Sequence, residues 1–231
     1  MKNELDEDGN IKLKTILIGE SGVGKTNLIN IAKDIQFSDN QESTVNCSFY
    51  QKEMIVQDRK FNVYLWDTIG QESLKSLTKI FFKNSKIVIL VYDITNKNSL
   101  KQLEFWMNEV KESLGSDYIL GVLGNKKDLF LKEEVSEEEA QAYAKSIGAR
   151  WALTSAKTDR ISFLRFIEEL INDYIKAVNL DSPESKEEQD NKNIVLKNDE
   201  PQNIKKKKKK SFVLYFNFIN IYIRILIRIY I

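Results

Sequence analysis

The stretch Gly19-Glu20-Ser21-Gly22-Val23-Gly24-Lys25-Thr26-Asn27 decides how this chain is read. It fits GxxxxGK[ST] and follows a β-branched run over residues 11–18 that reads as a strand. Helical spacing begins directly after it, with Leu28, Ile29 and Ala32 inside a helix expected over 25–35. Glycines let the backbone wrap closely around phosphate, so the N–H groups of Ser21, Gly22, Val23 and Gly24 point at its oxygens. The helix beginning near Lys25, with Asn27 in its first turn, adds its positive end. Lys25 reaches the β- and γ-phosphates, and the Thr26 hydroxyl is a ligand for Mg²⁺. Such a loop specifies a nucleotide without saying which base.

Outward from this loop, composition removes other chemistries. The 231 residues are 42% hydrophobic and 30% charged, ordinary for a globular chain. Histidine is absent, which excludes imidazole acid–base catalysis and His-ligated metals. The single cysteine, Cys47, excludes an intramolecular disulfide framework, a four-thiolate zinc site and a CxxC pair. The net charge of +1 is a cancellation. Residues 1–180 carry 24 Lys/Arg against 27 Asp/Glu, residues 181–200 carry 3 against 7, and residues 201–231 have a balance of +8. The only two prolines, Pro183 and Pro201, bracket the acidic stretch, which reads as a flexible linker over 179–204. A globular domain is expected over 8–178, with no internal repeat and no signal peptide ahead of it.

Within that domain strands and helices alternate. Residues 45–56 and 61–66 look like a hairpin across the polar 57–60. The apolar runs 87–92 and 118–123 are expected of strands buried on both faces. A helical stripe fills 99–114, Ser136 followed by Glu139 marks a capping box, and a short strand at 151–153 precedes a closing helix over 161–178. The alternation predicts an α/β fold, an open and mostly parallel sheet covered on both faces, with its ligand at the carboxyl ends of the strands.

Two further motifs fall at those ends. Asn125-Lys126-Lys127-Asp128 follows the strand at 118–123, and its carboxylate can accept from both N1–H and the amine of guanine. Adenine lacks that donor pair, so an ATP site would leave Asp128 unsatisfied. Thr154-Ser155-Ala156-Lys157 follows the last strand, where backbone N–H groups can meet the guanine O6. Between these lies Asp67-Thr68-Ile69-Gly70-Gln71-Glu72. Asp67 can hold a Mg²⁺-bound water, the Gly70 N–H can bond the γ-phosphate, and Gln71 can orient the attacking water. Phosphoryl transfer needs positioning and charge neutralisation more than covalent chemistry.

With these motifs in order, the sequence resembles the small GTPases of the Ras superfamily, and among them the Rab family most. The similarity spans about 11–178. It implies the P-loop NTPase G domain, a six-stranded sheet with one antiparallel strand. Thr44, 18 residues after Thr26, is then the switch I threonine that closes over Mg²⁺ and γ-phosphate. Phe37 takes the place of the aromatic against the base. Trp66 and Val91-Tyr92-Asp93-Ile94-Thr95 point to Rab proteins, as do Phe49, Trp66 and Phe81, where that family places an aromatic triad under its effector surface. No helical insert separates Asp128 from Ser136, which argues against a Rho-like member. Residues 45–49, Ile69, Ser73-Leu74 and 81–84 depart from the usual Rab pattern, so effector identity does not transfer. Ile69 sets a β-branched side chain beside Gln71 and is expected to shift the switch II equilibrium or slow hydrolysis.

The resemblance implies a monomeric GTP-binding and GTP-hydrolysing switch that regulates vesicle traffic through GTP-dependent effectors. Its regulators would be a guanine-nucleotide exchange factor and a GTPase-activating protein. With no Arg finger in cis, intrinsic hydrolysis by analogy with Ras is on the order of 10⁻⁴ s⁻¹, and an activating protein's Arg adds about 10³–10⁵. A non-hydrolysing GTP-binding module and a Ras-like signalling GTPase are the alternatives. Six lysines, from Lys205 to Lys210, suit an anionic membrane surface more than nucleic acid, since the folded domain is itself acidic. They suggest a cytoplasmic protein held peripherally on the cytosolic face of an intracellular membrane. No prenylatable cysteine follows. Residues 211–231 are apolar, with isoleucine at every second position from 219 to 231 and arginines at 224 and 228. They read as a membrane-contacting tail, as an aggregation-prone extension, or as translated non-coding sequence.

Overall fold

The computed structural model describes residues 4–6, 8–38, 48–68 and 81–178. Thr44, Cys47, Ile69, Gly70, Gln71, the linker, the lysine run and the apolar tail lie outside the described residues. In chain order the elements are β1 (Glu4–Leu5), β2 (Ile11–Ile18), α1 (Lys25–Ala32), β3 (Ser48–Val56), β4 (Arg59–Asp67) and β5 (Ile87–Asp93). They continue with α2 (Lys97–Lys101), α3 (Leu103–Leu114), β6 (Ile119–Asn125), a 3₁₀ segment (Lys127–Lys132), α4 (Glu137–Ser146), β7 (Arg150–Leu153) and α5 (Arg160–Ala177).

The strands lie in the order β3-β4-β2-β5-β6-β7, with only β3 antiparallel along this path. The expected mostly parallel sheet is therefore present. Among the described residues the sheet has seven strands rather than the expected six, because β1 pairs antiparallel with β2 at Glu4↔Lys12 and Leu5↔Ile11. The reason is an open edge. On one side β2 pairs with β4 from Ile11 onward, but on the other its pairing with β5 begins only at Thr15. The first two residues of β2 would otherwise present unpaired backbone, and a two-residue strand carries no period for the sequence to reveal. The expected hairpin loop over 57–60 is shorter than read, since Gln57 and Asp58 alone turn the chain, at φ 51 and 58.

Side-chain alternation splits the core in two. Ile87, Ile89 and Val91 join Phe61, Val63 and Leu65 beneath α1 and α5, while Val88, Leu90 and Tyr92 face α3 and α4. α5 presents Phe163, Phe166, Ile167, Leu170, Ile171, Tyr174 and Ile175, all buried, at the 3–4 spacing of a helix face. Each such burial contributes about 1.5–3 kcal/mol. The expected helix start at Ser136 is present, its Oγ accepting from the Glu139 N–H at 3.2 Å. Arg150 ties β7 to α5 through Nε and Nη2, which donate to the two Asp173 carboxylate oxygens at 2.7 and 2.8 Å.

Packing also explains glycine within β6. A Cβ at Gly124 would stand 2.5 Å from both Leu153 Cδ2 and Tyr92 Oη. The Tyr92 hydroxyl meanwhile accepts from Trp151 Nε1 at 3.2 Å. Close approach at this point delivers the next residue, Asn125, to the sheet's carboxyl end.

Candidate functional site: a guanine-nucleotide cradle

The loops after β2, β6 and β7 converge at the carboxyl ends of the strands. Gly19 permits the first of them, since a Cβ there would collide with the Val91 carbonyl oxygen at φ +150. Gly24 caps α1 at φ 96, and a Cβ there would strike Asn125 Nδ2. Only glycine admits both the left-handed backbone and that contact.

Asn125, 2% exposed, is the joint between the loops. Its Nδ2 donates to the Val23 carbonyl at 2.9 Å, and its Oδ1 accepts from the Ala156 N–H at 3.1 Å. One side chain thus fixes the phosphate loop against the loop carrying Ser155, Ala156 and Lys157. Asp128 is half-buried beside it, its Oδ1 accepting from Ser155 Oγ at 2.6 Å. The same hydroxyl oxygen accepts from the N–H groups of Lys157 and Thr158 at 3.2 and 3.0 Å. The carboxylate is therefore held in place by a hydroxyl that is itself held. Lys157 Nζ lies 5.4 Å from the ring centroid of Phe37, so the aromatic and the last loop flank the same space.

Lys25 is 5% exposed, and its Nζ donates to the carbonyls of Gly19 and Glu20, each at 2.8 Å. Burial pushes its ammonium down from 10.5 to about 8, against the opposing pull of the Asp67 and Glu20 carboxylates. Two carbonyls and two acidic side chains thus surround this buried cation. Asp67 ends β4 at 3% exposure, and Thr26 stands half-buried in the first turn of α1. A carboxylate and a hydroxyl are the hard oxygen donors that Mg²⁺ takes, so this donor set fits the ion.

Three contacts beside these loops were not anticipated. Lys126, at φ 68, is ion-paired through Nζ to Asp93 Oδ2 at 2.6 Å. Asp93 Oδ1 in turn accepts from the N–H and hydroxyl of Thr95 at 2.9 and 2.8 Å. The buried acid at the end of β5 thus orients the motif lysine, and only the pairing of β5 with β6 reveals it. Trp106 of α3 donates from Nε1 to Glu20 Oε1 at 3.3 Å, tethering the phosphate loop to a helix 86 positions away. The third contact is the Asn27 side chain, whose Nδ2 donates to the Ser38 carbonyl at 3.3 Å.

The three aromatics also come together. Phe49 stacks on Trp66 with centroids 5.2 Å apart, and Trp66 meets Phe81 at 6.2 Å. Phe81 is buried at 8%, so Phe49 and Trp66 form the half-exposed part of this cluster. Lys14 Nζ stands 4.5 Å from the Trp66 ring centroid, a cation at the triad that was not foreseen.

A family profile described as Ras family matches residues 14–196 of the chain. The chain belongs to the Ras family. Ras-related protein Rab-21 of Bos taurus is 38% identical over 165 residues, covering 71% of this chain and 72% of the relative. The Homo sapiens protein of the same name is 38% identical over 165 residues, 71% of each chain. That of Geodia cydonium is 38% identical over 150 residues, 65% of this chain and 66% of the relative. This Ras-family chain is a Rab-like small GTPase, a GTP-binding and GTP-hydrolysing switch of membrane traffic that works with regulators and effectors. Among the described residues of the GTPase, no helix is long and apolar enough to cross a membrane.

Proposed function

We propose that this GTPase holds the phosphates of GTP with residues 21–27, the guanine with Phe37, Asn125, Lys126, Asp128 and residues 155–157, and Mg²⁺ with Thr26, Thr44 and, through water, Asp67. What supports this most is Asn125, which binds the phosphate loop and the base loop into one cradle around a carboxylate matched to guanine. Held by these residues, the ion would supply positive charge against the phosphates. Lys25 adds a second positive charge there, Gly70 contributes an N–H to the γ-phosphate, and Gln71 positions the attacking water. Switch segments around 38–48 and 68–80 then report the γ-phosphate to effectors beside Phe49, Trp66 and Phe81. An exchange factor and an activating protein set the two directions of the switch.

Single-turnover hydrolysis tests the chemistry. Gln71→Leu is expected to slow it by about tenfold or more while GTP affinity stays within about twofold. GTP and GDP are expected to bind in the nanomolar class and ATP not at all, and equal ATP affinity would overturn the base assignment. Ile69→Ala should hydrolyse faster in the same assay, and equal rates would dismiss the hindrance assigned to Ile69.

Attachment to the cytosolic face of an intracellular membrane is assigned to the six lysines at 205–210, each worth about 1 kcal/mol near an anionic surface. Anionic vesicles should sediment the full chain and lose most of it when these lysines become glutamines. Undiminished sedimentation would shift the attachment to residues 211–231.

A further inference from the structure

Asn27 occupies the first turn of α1 at 9% exposure, and its side chain is only half satisfied. Nδ2 donates to the Ser38 carbonyl at 3.3 Å. Because a carbonyl can only accept, this contact fixes which end of the amide faces Ser38. Oδ1 is then left buried with no hydrogen-bond donor among the described residues. An unmade bond of this kind is costly in a protein interior, so such an atom calls for a partner supplied from outside the chain.

The position indicates which partner. α1 turns its first N–H groups toward the phosphate loop, while Ser38 directly follows Phe37, the aromatic that shares its space with Lys157 of the base loop. Asn27 and Ser38 therefore bridge the stretch between phosphate and base, where a nucleotide carries its sugar. The chemistry agrees. Phosphate oxygens only accept, and the donors on the guanine edge are those matched by Asp128. The remaining donors of a guanine nucleotide are the 2′ and 3′ hydroxyls of ribose.

We propose that the Asn27 side chain reads the sugar, its Oδ1 accepting a hydrogen bond from a ribose hydroxyl while Nδ2 holds the Ser38 carbonyl against the same site. The assignment rests on the guanine-nucleotide reading of the cradle. It makes Asn27 a specificity residue for ribonucleotides over deoxyribonucleotides, a role separate from any backbone contact to phosphate.

Competition binding of GDP, 2′-deoxy-GDP and 3′-deoxy-GDP to the full chain tests it. The unsubstituted protein should prefer GDP over at least one deoxynucleotide by roughly three- to tenfold, one neutral hydrogen bond's worth. Asn27→Ala should abolish that preference by weakening GDP alone. Asn27→Asp keeps an acceptor, so it should preserve the ratio even as its charge weakens all three nucleotides. Equal weakening of GDP and both deoxynucleotides in Asn27→Ala would overturn the proposal, leaving Asn27 only as a tether for Ser38. An absence of sugar preference in the unsubstituted protein would overturn it as well. Failure of the unsubstituted protein to bind any of the three would instead overturn the guanine-nucleotide reading.

Discussion

Asp128→Asn is expected to weaken GDP and GTP on the order of 10³-fold and to create tight binding of xanthine nucleotides. In the proposed site the carboxylate accepts from two guanine donors, N1–H and the exocyclic amine. An asparagine offers one acceptor and one donor, so its NH₂ opposes the guanine amine and leaves both unpaired in a confined site. Sites built around such bonds discriminate by about 10⁴–10⁵ when the match is lost. Xanthine carries a carbonyl where guanine carries the amine, and the asparagine NH₂ then finds an acceptor. The surroundings should survive the change, because Ser155 Oγ donates to Asp128 Oδ1 and an amide oxygen can accept in its place. Displacement of a fluorescent nucleotide by GDP and XDP measures both affinities, and tight XDP binding certifies that the variant is folded. A variant that still prefers GDP would remove Asp128 from base recognition.

Lys25→Met should cost GTP and GDP on the order of 10³-fold and GMP far less, because the proposed site sets the ammonium on the β- and γ-phosphates. Charge-assisted hydrogen bonds contribute roughly 1.5–3 kcal/mol each, and two lost together reach this size. Equal losses for GMP and GDP would place Lys25 elsewhere than on those phosphates. The same side chain predicts a pH dependence. Its folded value of about 8 lies below the ordinary 10.5. Below pH 8 both folded and unfolded chains hold the proton, and the burial cost is fully present. Between 8 and 10.5 the unfolded chain binds more protons, so the nucleotide-free protein gains stability as pH rises, by roughly 3 kcal/mol at the upper end. Bound phosphate favours the ammonium, so nucleotide affinity runs the other way and falls as pH climbs past about 8. Calorimetry in buffers of different ionisation heat should therefore record proton uptake on GDP binding at pH 9 and little at pH 7. Uptake should vanish in Lys25→Met, and its absence from the unsubstituted protein would refute the assignment.

The parts of this protein legible in its sequence are those carried by local pattern. The phosphate loop is contiguous, because one turn between a strand and a helix must supply all its N–H groups, and its glycines mark where side chains cannot fit. The strands β5 and β6 declare themselves as unbroken apolar runs, since both their faces are covered. The cap at Ser136 is written in four residues. What could not be read are the contacts between distant segments. Asp93 is an ordinary strand-end acid until β5 and β6 pair and set it against Lys126. Trp106 is one more apolar helix position until α3 packs beside Glu20.

For the cradle the division is the same. Residue types at fixed spacing determined the family, the fold class and the base, because phosphate and guanine each demand a particular set of donors and acceptors. Tertiary structure alone decided that Asn125 welds two loops, that β1 closes the open edge of β2, and that burial leaves Lys25 a labile proton and Asn27 an unanswered oxygen. Burial is a property of everything packed around a group, and no spacing along the chain encodes it.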